Sequence, residues 1–149
     1  MIKLNIKPKV GIGSIKLGMK KTQVISSWGE PERKENLFSN KGDLTGNVET
    51  WFYSSGVELD FRAEDRFVLS SITVFSQKAI YRSIHLIGLT EEELVEKLPE
   101  LKLDDDFEEN GCDYVDCDNE LSFWVSDGMV TNVTIFPAYD ASGCKPIWP

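Results

Sequence analysis

The oxygen ligands crowded into Asp104-Asp105-Asp106-Phe107-Glu108-Glu109-Asn110-Gly111 are the residues with the plainest chemical capacity in this chain. Hard cations such as calcium take ligands of this kind, and an EF-hand loop places Gly at its sixth position and Glu at its twelfth. A loop begun at Asp104 puts Glu109 at the sixth position. A loop begun at Asp106 puts Gly111 there but Cys117 at the twelfth. Neither start fits, so no metal site is expected. The stretch reads instead as a solvated acidic loop or as a docking patch for a basic partner. His85 is the single histidine and lies between Ile84 and Leu86, where a structural role outweighs that of a general base. Cys112, Cys117 and Cys144 make an odd set with no CxxC spacing, which suits free thiols in a reducing compartment. Cys144 follows Ser142 and Gly143 with no base adjacent in sequence, so nothing marks it as a nucleophile. Gly11-Ile12-Gly13 lacks the further glycine and the Lys-Ser/Thr of a phosphate loop. It reads as a turn. No catalytic residue and no cofactor are expected.

Charge is distributed unevenly. The chain carries a net charge of −9 over 149 residues. Residues 1–82 hold 13 Lys and Arg against 9 Asp and Glu, whereas residues 83–149 hold 3 against 16. No Lys or Arg occurs from Leu103 to Val125. An acidic field of this kind repels phosphates, which argues against nucleic acid as the partner. It favours a basic protein or a cation. No apolar run approaches the ~20 residues of a membrane span, so no membrane partner is expected. The N-terminal Met-Ile-Lys-Leu-Asn-Ile-Lys alternates like a strand, unlike the continuous apolar region of a signal peptide. A cytoplasmic location is therefore expected.

The elements that must position these groups come in two similar sets. Residues 14–29, SIKLGMKKTQVISSWG, resemble residues 84–99, IHLIGLTEEELVEKLP, and Ser71–Phe75 is echoed by Asn132–Phe136. The similarity divides the chain into repeats at 1–82 and 83–149, packed as one unit. In the first, Val24, Ile25 and Trp28 at helical spacing predict a helix that stops at Gly29 and Pro31. Residues 32–47 read as a long loop. Strands are predicted at Val48–Tyr53, Val57–Arg62 and about Phe67–Phe75. In the second, Thr90 and Glu93 form a capping box ahead of a helix that ends at Pro99. Strands are predicted at Asp113–Cys117, Glu120–Val125 and Met129–Phe136, with Asp127-Gly128 as a hairpin turn.

Each repeat then comprises a helix and a three-stranded meander, and a helix covers only one face of a sheet. The aliphatic positions Val57, Leu59, Phe61, Ile72 and Val74, with Leu121, Phe123, Val125, Val133 and Ile135, belong on the covered face. Period-two alternation assigns the opposite face Trp51, Tyr53, Glu58, Asp60, Thr73 and Phe75. From the second repeat it adds Tyr114, Asp116, Ser122, Trp124, Thr134 and Phe136. Aromatics among acids on an open sheet face mark a binding surface.

The run Ile15-Lys16-Leu17-Gly18-Met19-Lys20-Lys21-Thr22-Gln23-Val24, with Trp28-Gly29 and Pro31, resembles a module of the small outer-membrane assembly lipoproteins. In tandem the module forms the beta-lactamase inhibitor protein fold. Leu86-Ile87-Gly88-Leu89-Thr90 with Leu94 is the second copy. The resemblance implies an α+β fold of two tandem helix-plus-antiparallel-meander repeats, joined in one curved sheet with helices on one face. It also implies that an aromatic sheet face grips a target enzyme. In size, charge and compartment the chain is similar to immunity proteins of polymorphic toxin systems. The expected function is that of a protein-binding inhibitor, an immunity protein that occludes a basic toxin domain. The expected contacts are Trp51, Tyr53, Glu58, Asp60, Phe75, Tyr114, Asp116, Trp124 and Phe136, with Asp104, Asp105, Asp106, Glu108 and Glu109 steering. A small-molecule or peptide-binding module, or an envelope or assembly module, is the alternative.

Overall fold

A computed structural model describes residues 3–37, 46–104 and 110–149. The chain enters through three two-residue strands, β1 (Ile6–Lys7), β2 (Gly11–Ile12) and β3 (Ile15–Lys16), which form a small antiparallel sheet. Helix α1 (Lys21–Trp28) follows, and Gly29 closes it with φ 80° and its N–H on the Ile25 carbonyl at 2.8 Å. Next come β4 (Arg33–Leu37), β5 (Val48–Tyr53), β6 (Val57–Arg62), a 3-10 turn at Ala63–Asp65, and β7 (Leu69–Val74). A tight hairpin of β8 (Ile80–Tyr81) and β9 (Ile84–His85) leads to α2 (Glu91–Lys97). The remaining strands are β10 (Lys102–Leu103), β11 (Cys112–Asp116), β12 (Leu121–Ser126), β13 (Met129–Ile135), β14 (Ala138–Tyr139) and β15 (Pro146–Ile147).

Eight of these strands form the central antiparallel sheet, in the order β10-β11-β12-β13-β7-β6-β5-β4. β13 and β7 meet in its middle, pairing Val133 with Val74, Thr134 with Thr73 and Ile135 with Ile72. The two segments whose sequences echo each other, Ser71–Phe75 and Asn132–Phe136, thus run side by side through the centre.

The expected fold class is corrected. The described residues hold four separate sheets rather than one, and strand far outweighs the two α-helices of eight and seven residues. The three-stranded meanders are also too small a unit. β4 lies within the segment read as a loop, and β10 adds a further edge strand. The physical reason is legible in each. All five residues of β4 are exposed, so it carries no apolar alternation. The outlying hairpins pair only two residues per strand and turn on left-handed positions such as Lys9, Arg82 and Ser83. Neither length nor composition of such pieces gives a period to detect.

The core lies on one side of the central sheet. All ten aliphatic and aromatic positions expected there are buried to 2% exposure or less. Against them pack Val24 of α1, Leu94 of α2, and Leu4, Ile6, Ile12, Ile15 and Leu17 of the N-terminal segment. A fully buried side chain of this kind contributes about 1.5–3 kcal/mol. α2 starts on the expected capping box: Thr90 Oγ1 accepts from the Glu93 N–H, and Glu93 Oε1 accepts from the Thr90 N–H, each at 3.1 Å.

Candidate functional site

The face of the central sheet turned away from the core is where the expected site belongs, and strand register decides which residues reach it. On β6 the alternation holds: Val57, Leu59 and Phe61 are buried, and Glu58, Asp60 and Arg62 point the other way. On β5 the expected phase is wrong by one residue. Trp51 lies directly opposite Leu59, and Tyr53 opposite Val57, so both face the core. Trp51 is 1% exposed, stacks on Phe61 at 4.6 Å between ring centroids, and donates its indole N–H to Glu49 Oε1 at 2.8 Å. Tyr53 sits edge-on to Trp28 at 5.4 Å and donates its hydroxyl to the Gly29 carbonyl at 2.9 Å. Burial, and to a lesser degree the nearby Glu30 charge, raises that phenol to about 12.

The second half repeats this correction. Tyr114 lies opposite Phe123 and Asp116 opposite Leu121, both on the core side. Tyr114 donates its hydroxyl to Glu91 at the start of α2, and that bond with burial raises it to about 12. Asp116 is buried and caps the following turn, accepting from the Asn119 N–H at 3.1 Å and its Nδ2 at 2.8 Å. Trp51 and Tyr114 therefore do equivalent structural work, each binding a carboxylate beside a helix start. On the first side that carboxylate is Glu49, which is also paired with Lys21 of α1. Burial acts to raise the Glu49 carboxyl, but the hydrogen bonds from Lys21 and Trp51 prevail and hold it below its ordinary value.

The residues that do share the open face are polar and aromatic, several of them hydrogen-bonded to one another. Thr50 Oγ1 donates to Asp60 Oδ1 at 2.7 Å, Ser71 Oγ donates to Asp60 Oδ2 at 3.4 Å, and Arg62 Nη1 donates to Ser71 Oγ at 3.2 Å. At the seam, Thr73 and Thr134 face each other at 3.2 Å between hydroxyls. Beyond it Ser122 Oγ donates to Asp113 Oδ1 at 3.1 Å. Trp124, opposite Asp113 and Asn132, is the part-exposed aromatic side chain of this half. A Cβ on Gly111 would fall 2.9 Å from its indole and 2.2 Å from the Val125 carbonyl, so only glycine lets the ring lie there. The matching aromatic in the first half is Phe52, over whose ring the Arg33 guanidinium lies at 4.1 Å. Phe75 and Phe136 continue the alternation of β7 and β13 on this face, and Phe75 is 43% exposed. Thr50 and Ser71, which hold Asp60, are the buried members; Glu58, Asp60, Thr73, Asp113, Ser122, Trp124 and Thr134 are part-exposed.

Of the acidic steering group, Asp104 donates its N–H to the Asp113 carbonyl, at 2.8 Å, next to this face. Asp105, Asp106, Glu108 and Glu109 lie outside the described residues. Phe52 and Arg33 were not expected in the site. Trp51-Phe52-Tyr53 is an unbroken aromatic run with no alternation to phase it, and Arg33 stands on the strand that resembled a loop.

The electrostatics of this face act on one carboxyl, that of Glu58. Burial raises the Glu58 carboxyl, Asp60 raises it further, Arg33 opposes, and Glu35 adds to the rise. The folded state therefore holds this proton more tightly than the unfolded chain. Stability falls as pH rises from the ordinary carboxyl value through the raised one, and stays lower above it. Glu58→Gln is expected to be more stable than the parent at neutral pH and equal to it in acid. Urea midpoints at the two pH values check this; equal offsets at both would contradict it.

Among the described residues, no group of three or more His, Cys, Asp or Glu is placed to hold a metal. No helix is long and apolar enough to cross a membrane. His85 is exposed and bonded through Nδ1 to the Gln77 carbonyl at 3.1 Å. Burial, with Glu91 and Asp113 beside it, raises the Cys112 thiol, which disfavours the thiolate a nucleophile needs.

No family model matches the chain, and no curated protein matches it. Among solved structures it is similar in fold to the uncharacterized protein yfeY from Escherichia coli, with TM-score 0.59, 12% identity, and coverage of 90% of this chain and 99% of that one. It is also similar to a DUF4309 family protein, YjgB, from Bacillus subtilis, with TM-score 0.54, 16% identity, and coverage of 87% and 88%. A third similarity is to an extracellular protein containing a SCP domain from Bacillus anthracis, with TM-score 0.50, 13% identity and 89% of this chain covered. The chain spans half, 50%, of that protein's length. At these identities the likeness is one of fold.

Proposed function

We infer that this protein binds a basic protein partner on the open face of its eight-stranded sheet and acts by covering that partner's working surface. One observation carries the reading. A wide sheet face, opposite a fully packed core, presents Phe52, Phe75 and Trp124 to solvent among Glu58, Asp60 and Asp113. Aromatic anchors in a polar surround are the composition of an interface centre. The acidic excess of residues 83–149 supports a cationic partner, since like-signed ones would be repelled. An immunity protein bound to a basic toxin domain is the most specific form of this reading, and the charge asymmetry is what supports it.

The test is affinity capture from lysate of the source organism on wild-type protein and on a Phe52→Ala/Trp124→Ala variant, followed by stopped-flow kinetics with the protein that only the wild type retains. Its association rate is expected to fall at least about tenfold as salt rises from low to near-molar ionic strength, because screening shortens the Debye length to about 3 Å. A rate indifferent to salt would contradict charge steering.

A further inference from the structure

The N-terminal hairpin builds a second feature, remote in chemistry from the acidic face and independent of the reading above. Leu4 and Ile6 are buried, so strand alternation turns Lys3, Asn5 and Lys7 outward in one row. Opposite that row stand the Gly13-Ser14 turn and the end of α1, Ser27 and Trp28. Together they line a cleft of about 490 Å³, within the size range of small-molecule sites.

The cleft is shaped before any ligand arrives. Gly13 holds a left-handed φ of 56°, and a Cβ there would sit 2.3 Å from the Lys3 carbonyl. Its N–H donates to the Asn5 carbonyl at 3.0 Å. Ser14 and Ser27 pair their hydroxyls at 2.6 Å and tie the turn to the helix. The Trp28 ring is fixed edge-to-face against Tyr53, which is itself bonded to Gly29.

The charge of the cleft is of one sign. Its lining includes two lysines and no carboxylate. Lys7 Nζ reaches only the Gly13 carbonyl at 3.4 Å, and neither Lys3 nor Lys7 has an ion-pair partner among the described residues. The lysines are four residues apart along the chain, at most about 14 Å between Cα atoms, so two flexible ammoniums can converge on one anionic group between them. Asn5 and the paired serines supply neutral donors beside it, and Trp28 adds an apolar aromatic wall.

We propose that this cleft binds a small organic anion, a phosphate monoester of a flat ring, with Lys3 and Lys7 holding the phosphate and Trp28 the ring. The recognition needs both parts. Ammonium groups alone bind any anion weakly in water, and the ring alone meets one wall.

Phenyl phosphate is the probe, with inorganic phosphate and phenol as the separated halves. ¹H–¹⁵N spectra of the full chain are followed at Gly13, Ser14, Ser27 and the Trp28 indole. The expected result is a saturable shift at these positions with phenyl phosphate. Its dissociation constant should rise about tenfold or more in Lys3→Ala/Lys7→Ala, and each half should bind at least about tenfold more weakly. Lys16→Ala/Lys20→Ala, which removes two lysines outside the cleft, should leave the constant unchanged. Three results would overturn the proposal. They are no saturation with phenyl phosphate, equal weakening in both lysine variants, or inorganic phosphate binding as tightly as the ester.

Discussion

Trp51→Ala is expected to lower the unfolding free energy by about 3–5 kcal/mol, the usual cost of emptying a buried aromatic position. That is a large share of the ~5–15 kcal/mol that holds a domain together. Three contacts go at once. The indole fills space against Phe61, lies opposite Leu59 in the register, and donates to Glu49. Glu49 in turn is paired with Lys21, the first residue of α1. Trp51→Phe retains most of the packing but loses the donor, and should cost less. Urea denaturation of the three proteins checks the order. A loss below about 1 kcal/mol in Trp51→Ala would place the side chain outside the core. This variant also separates two accounts of the same residue: as an exposed anchor it would affect partner binding alone, whereas a core residue alters stability first.

Trp124→Ala is expected to do the reverse. Its indole is part-exposed on the open face and rests over Gly111. Truncation should leave the urea midpoint within about 1 kcal/mol of the parent. It should weaken the captured partner by about 2 kcal/mol or more, some thirtyfold, as hot-spot aromatics do. Isothermal titration with the partner measures one effect and urea denaturation the other. Loss of stability with unchanged affinity would mean that Trp124, too, serves the fold. Phe52→Ala should behave in the same way at the other end of the face.

Legibility of the chain followed its periodicity. The ten core positions on β6, β7, β12 and β13 could be read because aliphatic residues alternate with polar ones, and all ten are buried. The cap at Thr90 and the glycine stop at Gly29 could be read because their chemistry is local. β5 could not be phased, because Trp51-Phe52-Tyr53 presents aromatics to both sides. Only pairing with β6 across the ladder settles which of them faces in. Tyr114 and Asp116 misled for a related reason. A hydroxyl and a carboxylate look like surface chemistry until a partner, Glu91 or Asn119, is brought to them by tertiary structure. β4 was invisible because an exposed edge strand has no inner face to encode. The cleft at Lys3 and Lys7 was equally hidden. Its two walls are a strand and a helix end some twenty residues apart, joined by the Ser14–Ser27 contact.

Side-chain footprinting by hydroxyl radicals, with and without the captured partner, tests the central claim most directly. Oxidation of Phe52, Phe75 and Trp124 should fall sharply in the complex, while Trp28 and Phe67, which lie off the open face, should react as before. Protection of Trp28 and Phe67 with Phe52, Phe75 and Trp124 unchanged would contradict the account and place the partner elsewhere on the molecule.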